Sequence, residues 1–392
     1  MADSNKKAIY ALSAGHFTAD MFSSSIIPLY PLLTQKLGIT LAGISLIISI
    51  GHLVSSMLQP LFGFFADKMK KRAFMINGLL MGAIFIPLTV AANSPYLLCL
   101  FLMLGMCGNA FFHPQVTSLV KTFCFNNPNV SKYMGIFMGF GTIGYALGPI
   151  ISSNLVESYG DHSLLYITLF GILCAIVLYF QVPKIPPEAI VKSKEGFFTV
   201  MKEIISNKVC MLLVWIAVVK SAVSISFGTF IPFVLKDAGY SLNKIGLIVT
   251  LFYILSGVSM IASSKLENKI GAVNLIRLSF FSIFPLVIVF KYLMEYNSLY
   301  GVILFILLGF FIYLSVSVTI VAAQKIISKH SGVISGVMQG FSWGLGALSL
   351  APMGYIGENF GIIWILIIMS FIALLTGLFC LPKEVKDVLL NK

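Results

Sequence analysis

The chain has 392 residues, of which 58% are apolar and 10% charged, with a formal net charge of +12 and a mean hydropathy of +0.97. A water-soluble globule of this size carries roughly 25% charged residues, so the composition excludes one and describes a membrane protein. Twelve crossings of roughly 20 residues each would use about 240 residues, leaving short loops and no large soluble domain.

In chain order the apolar runs predict spans over residues 8–33, 41–65, 73–92, 96–120, 133–156 and 164–182. They continue over 209–235, 245–264, 275–290, 299–321, 333–356 and 362–381. The first run follows Lys6 and Lys7 but is too long for a signal peptide and lacks a small-residue cleavage site, so it is expected to remain in the protein. With the amino terminus inside, 21 of the 26 basic residues fall on the cytoplasmic side, against Lys36, Lys236, Lys244 and Lys291 outside. Lys220 stays within a span. The positive-inside rule then places both termini in the cytoplasm, and the charge calls for no nucleic-acid partner. The six cysteines form no CxxC pair, the five histidines show no metal-ligand spacing, and no nucleotide-binding loop is present. No metal, cofactor or enzymatic chemistry is therefore expected, and a monomer is expected.

Shifted against itself by 201 residues, the chain matches weakly but without gaps. Pro31 falls on Pro232, Gly38 on Gly239, Leu41 on Leu242, Gly135 on Gly336 and Gly139 on Gly340. Turn-forming and close-packing residues agree best, as expected where two halves share backbone geometry. This predicts an all-α protein of two six-helix bundles, 1–182 and 209–392, joined by a cytoplasmic linker, 183–208. Phe197, Phe198, Met201, Ile204 and Ile205 share one helical face of that linker, a pattern for lying on lipid.

An ionisable side chain at mid-membrane costs about 2.5–3.5 kcal/mol on insertion scales and needs a partner, a wet cavity or a function. Of fourteen acids only Asp20 is deep within a span. Ser13, His16, Asp20 and Ser24 form one stripe of the first span, expected to face a polar cavity with Asp20 and His16 as proton carriers. Lys220 lies mid-way along the seventh span, Ser224 follows one turn on, and the shift maps Lys220 beside Asp20. A buried pair of Asp20 with Lys220 is therefore expected, either as a fixed brace or as a switch that an anion or proton releases.

The fourth span presents Asn109, His113 and Thr117 at intervals of four, with Pro114 expected to bend it, and Gln115 is a further cavity candidate. His113 reads equally as an interhelical hydrogen bonder. Gln339 and Trp343, one turn apart in the eleventh span, offer a hydrogen bond and an aromatic wall. In the fifth span Gly135, Gly139, Gly141, Gly144, Gly148 and Pro149 let another helix come close, and together with Gly336, Gly340, Gly344 and Gly346 suggest a rocking interface between halves. Gly63, Asp67, Lys68 and Arg72 in the loop after the second span join Gly144, Gly148 and Pro149 as candidates for conformational switching.

The loop from Gly63 to Arg72 resembles the GxxxDRxGRR motif of the major facilitator superfamily, with Lys70 where the motif has its later glycine. Gly144 to Pro149 resembles the GxxxGP motif of its drug antiporters. His16, Asp20, Tyr30, Pro31, Leu58, Gln59, Pro60, Gly63 and Phe112–His113–Pro114 are similar to the fosmidomycin resistance protein family, best over residues 10–150. That resemblance implies an inner-membrane exporter, proton-driven, of a drug or small metabolite, with the substrate held between the two bundles. The family's run normally ends FHPE; Gln115 stands where that carboxylate would be. Lys220 offsets the deep acid, so an anionic or zwitterionic solute fits better than a dication. An uncoupled or importing facilitator shares most of these features, and a non-transporting sensor or scaffold would leave the buried polar residues dispensable.

Overall fold

A computed structural model of the chain describes residues 3–69, 72–124, 130–184, 197–327 and 331–380. They fold almost wholly as α-helix: α1 (Asp3–Ser25), α2 (Tyr30–Leu37), α3 (Leu41–Met69), α4 (Arg72–Leu88), α5 (Pro95–Phe123), α6 (Val130–Tyr159), α7 (Ile167–Gln181) and α8 (Phe197–Ser206). The second half has α9 (Lys208–Asp237), α10 (Leu242–Ile270), α11 (Ala272–Tyr296), α12 (Ser298–Tyr313), α13 (Val316–Ile326), α14 (Ser331–Gly336), α15 (Ser342–Ala347), α16 (Leu350–Phe360) and α17 (Ile362–Phe379). Among the described residues eleven helical stretches are long and apolar enough to cross a membrane by length and composition. The first expected span, α1, is not one of them, because Lys6, Lys7, His16, Asp20 and its serines dilute it.

Three expected spans are interrupted. Pro28 and Pro31 carry no amide hydrogen, so the first breaks at a 3-10 turn, Ile27–Leu29, before α2. The tenth breaks between α12 and α13. The eleventh contains a π-helical turn, Val337–Phe341, which holds Gln339. Pro114, expected to bend its helix, lies inside an uninterrupted stretch of α5, as Pro149 does within α6.

The 201-residue shift is written into the backbone. α3 and α10 have 29 residues each and begin at Leu41 and Leu242. Gly38 and Gly239 turn with φ of 61° and 82°, and Gly160 and Gly361 with 83° and 99°. A Cβ at such angles meets the following carbonyl, so glycine recurs where each half makes the same turn.

The halves meet through symmetry-related contacts. The Ala42 amide donates to Glu358 Oε2 at 3.1 Å, and the Asn243 amide donates to Glu157 Oε2, each carboxylate capping the first turn of the other half's helix. A Cβ on Gly246 would lie 1.9 Å from Ser153 Oγ, and one on Gly354 2.4 Å from Ser45 Oγ, so α10 closes on α6 as α16 closes on α3. Lys236 donates to Gln35 at 2.8 Å, joining two positions that the shift itself relates. All these contacts lie toward the ends where α3 and α10 begin. Toward the opposite ends, a Cβ added at Gly135, Gly139 or Gly336 meets no described atom within 4 Å.

α8 departs from the expected lipid-facing helix. Phe198 and Ile205 are exposed, whereas Ile204 is buried with Val200 in the protein core. Ile204 therefore packs on protein rather than lipid.

Candidate functional site

Asp20 sits between two imidazoles. Its Oδ2 is 3.2 Å from His16 Nε2, one turn earlier on α1, and its Oδ1 is 3.3 Å from His113 Nε2, which arrives from α5. His16 is fixed further by Nδ1, 2.9 Å from the Phe137 carbonyl oxygen on α6, and by stacking on the Phe137 ring at 4.3 Å. A carbonyl oxygen only accepts, so Nδ1 carries hydrogen. A neutral His16 would then turn a bare Nε2 lone pair toward a carboxylate oxygen. The contact is favourable only with a cation between the two atoms, either a proton on Nε2 making His16 an imidazolium or a proton on Asp20 donated to it.

The backbone of α6 makes room for this cluster. A Cβ at Gly141 would stand 2.5 Å from His16 Nε2 and 2.7 Å from Asp20 Oδ2. One and two turns on, a Cβ at Gly144 would strike the Phe17 carbonyl and one at Gly148 would strike Ser24 Oγ. These glycines thus bring α6 against α1 of the same half, not against the other half as expected. The stripe Ser13, His16, Asp20 and Ser24 accordingly faces α6 rather than an open cavity: Ser13 and Ser24 are buried and donate to carbonyls of α1 itself. Asp20 keeps 17% and His113 26% of side-chain exposure, so the cluster opens on the His113 side.

Lys220 does not meet Asp20. Its ammonium donates to Ser279 Oγ and, at 3.0 and 3.5 Å, to the carbonyls of Ile312 and Phe311, and it lies 4.3 Å from the centre of the Phe280 ring. The cause is rotational. The shift maps Lys220 to position 19, and one residue is about 100° of helix, so the two side chains leave equivalent helices in different directions. The break between α12 and α13 supplies the acceptors, since carbonyls at a helix end have no amide of the next turn to bind. Among the described residues no carboxylate lies within ion-pair distance of Lys220.

Lys220 opens on a cavity of about 50 Å³ whose walls include Ser224, Tyr313, Thr319, Gln339 and Trp343. Ser224 and the Tyr313 hydroxyl share a hydrogen bond across it. Trp343 also borders a smaller space of about 10 Å³ with Tyr30, His52, Tyr145 and Tyr253, where the rings of Tyr145 and Tyr253 meet edge to face at 4.8 Å from opposite halves. Gly340 and Gly344 approach Gln59 and Ser56 across the same boundary, while Gly346 packs on Ser221 and Ala222 of its own half.

The remaining candidates are placed as follows. Asn109 donates to Ser23 Oγ at 2.7 Å, tying α5 to α1. Gln115, a cavity candidate in the sequence, is fully buried, lines neither space, and finds no hydrogen-bond partner for either amide atom among the described residues. Its position, two residues beyond His113, turns it about 200° away from the cluster. Arg72 donates to the carbonyls of Tyr179 and Val182 at 2.8 and 2.5 Å and so anchors α4 to the end of α7. Gly63, Asp67 and Lys68 fall in the last turns of α3, and their side chains lie outside the described residues. The sequence did not single out Ser279, Tyr313 or the Tyr145–Tyr253 contact. The 201-residue match gave no sign of them, because they depend on a helix break and on packing between halves.

A family model described as Major Facilitator Superfamily matches residues 12–352. The chain belongs to the major facilitator superfamily. The fosmidomycin resistance protein of Escherichia coli strain K12 is 24% identical over 382 residues, covering 93% of this chain and 90% of that protein. A mutant of the nucleoside transporter NupG superposes with a TM-score of 0.78 at 13% identity, covering 95% of this chain and 99% of that one. A bacterial homologue of the human lysosomal transporter Spinster, in an inward-facing and unoccupied conformation, gives 0.78 at 13% identity, covering 100% and 98%. This superfamily member is thus a multi-pass membrane transporter of small molecules with an efflux-type relative, not an enzyme.

Proposed function

We propose that the protein exports a small anionic or zwitterionic solute from the cytoplasm in exchange for protons, by alternating access of two six-helix bundles. The bundles are residues 1–182 and 209–392, the linker is 183–208, and the chain works as a monomer in the inner membrane with both termini in the cytoplasm. With that orientation the symmetric contacts close the outer end.

The observation that carries the proposal is the hydrogen-bond arrangement of His16, in which Nδ1 is committed to the Phe137 carbonyl and Nε2 faces Asp20. A cluster that holds together only around a shared cation responds structurally to losing it. When the proton leaves, Asp20 and the His16 lone pair repel, α1 is released from α5 and α6, and the balance between inward and outward forms shifts. The buried Lys220 ammonium, satisfied by neutral oxygens alone, supports an anionic group in the adjoining cavity. A potential of 100 mV supplies about 2.3 kcal/mol per charge and one pH unit about 1.4, enough to drive one-proton exchange.

The test is flux in proteoliposomes with and without an imposed pH gradient, using a phosphonate antibiotic and other small organic anions. Wild-type protein is expected to respond to the gradient and an Asp20→Asn variant to lose that response. Equal, gradient-insensitive flux in both would reject proton coupling at this cluster.

A further inference from the structure

His16, Asp20 and His113 bring three ligand-type side chains from two helices to one point. One ligand atom from each lies within 4.8 Å of the others. The nitrogen–oxygen separations, 3.2 Å to Oδ2 and 3.3 Å to Oδ1, run to the two different oxygens of Asp20, so an ion held by both imidazoles would be met by the carboxylate through both of its oxygens. A second, independent feature points the same way. Metal-bound imidazoles ordinarily donate their other ring nitrogen to a carbonyl or carboxylate, which fixes the tautomer and aims the free lone pair at the ion. His16 does this through Nδ1 and the Phe137 carbonyl.

Gly141 backs the cluster without a side chain, and His113 keeps 26% of its side chain exposed. Two imidazoles and one carboxylate, with no thiolate, suit zinc, cobalt or nickel; calcium and magnesium require all-oxygen shells. We infer that His16, Asp20 and His113 form a binding site for one divalent transition ion of the zinc class. The ion takes the place of the shared proton, expels it on binding, and ties α1 to α5, so that it inhibits the transporter rather than being its cargo. Metal binding does not depend on the cluster's proposed role in proton coupling; the inhibition does.

The experiment is a titration of untagged, detergent-purified protein with Co²⁺, followed by ligand-field absorption and by displacement with Zn²⁺. One saturable site per chain is expected. His113→Gln and Asp20→Asn, each checked for an unchanged size-exclusion profile, should weaken binding by more than about tenfold, since loss of an outer-shell partner alone costs 10–100-fold. His162→Gln, at an exposed histidine outside the cluster, should bind as wild type does. No saturable binding to the wild type, or equal affinity in all four proteins, overturns the assignment. Saturable cobalt binding with gradient-insensitive transport would reject the proton mechanism and leave the metal site standing.

Discussion

Gln115 carries both a donor and an acceptor into a buried environment and finds a partner for neither among the described residues. A buried, unpaired polar group costs about 1–3 kcal/mol, more than a hydrogen bond ordinarily contributes. Gln115→Leu is therefore expected to raise the melting temperature in detergent, by an amount corresponding to about 1–3 kcal/mol, and to leave flux unchanged; a lower melting temperature would show that the amide has a partner. Lys220→Met tests the opposite situation, a charge well supplied with acceptors. It should weaken the binding of small organic anions by at least about tenfold, the equivalent of 1.4 kcal/mol and the low end for a charged hydrogen bond, as read by substrate-dependent quenching of tryptophan fluorescence. At this scale the sequence revealed that His16 and Asp20 share a face, because one helical turn separates them. It did not reveal that His113 joins them, since that requires the approach of α5. It misassigned the partner of Lys220, because a one-residue offset between repeats is negligible in an alignment and 100° on a helix.

Among the elements, α6 shows how glycines divide their work along one helix. Gly148 lies against α1 so closely that an added methyl would sit 2.1 Å from Ser24 Oγ and 2.4 Å from the Met21 carbonyl, whereas Gly139 faces open space. Gly148→Ala is expected to cost about 1–3 kcal/mol by overpacking, with Gly139→Ala close to neutral, both measured by thermal unfolding. The glycine spacing was legible as close packing, but the residues alone did not say which helix was approached. The break between α12 and α13 and the π-turn around Gln339 were not legible at all. Neither stretch contains a proline to announce it, and the donors that stabilise the break come from Lys220 and Ser279 on other helices.

Across the whole molecule the repeat was legible because glycine is required at the same turn of each half, and the structure extends it to side chains. Glu157 and Glu358 are 201 residues apart, as are the Ala42 and Asn243 amides that they cap. The closure at this end is thus two copies of one contact plus the Lys236–Gln35 hydrogen bond. Glu157→Gln and Glu358→Gln are expected to increase the accessibility of a cysteine reporter at this end by similar factors, with the double variant increasing it further. Cysteines at both 35 and 236, in a background without the native cysteines and joined by a reducible bifunctional thiol crosslinker, should stop flux until the crosslink is cleaved. Unchanged flux in the crosslinked protein would show that this end does not open during transport.

Each half offers one acid and one helix start, and each is received by its counterpart on the other side. Two identical copies of such a half could therefore satisfy each other with nothing left over. The join resembles the self-complementary contact of a twofold dimer, so halves produced as separate polypeptides should find one another in the bilayer without the peptide that now tethers them.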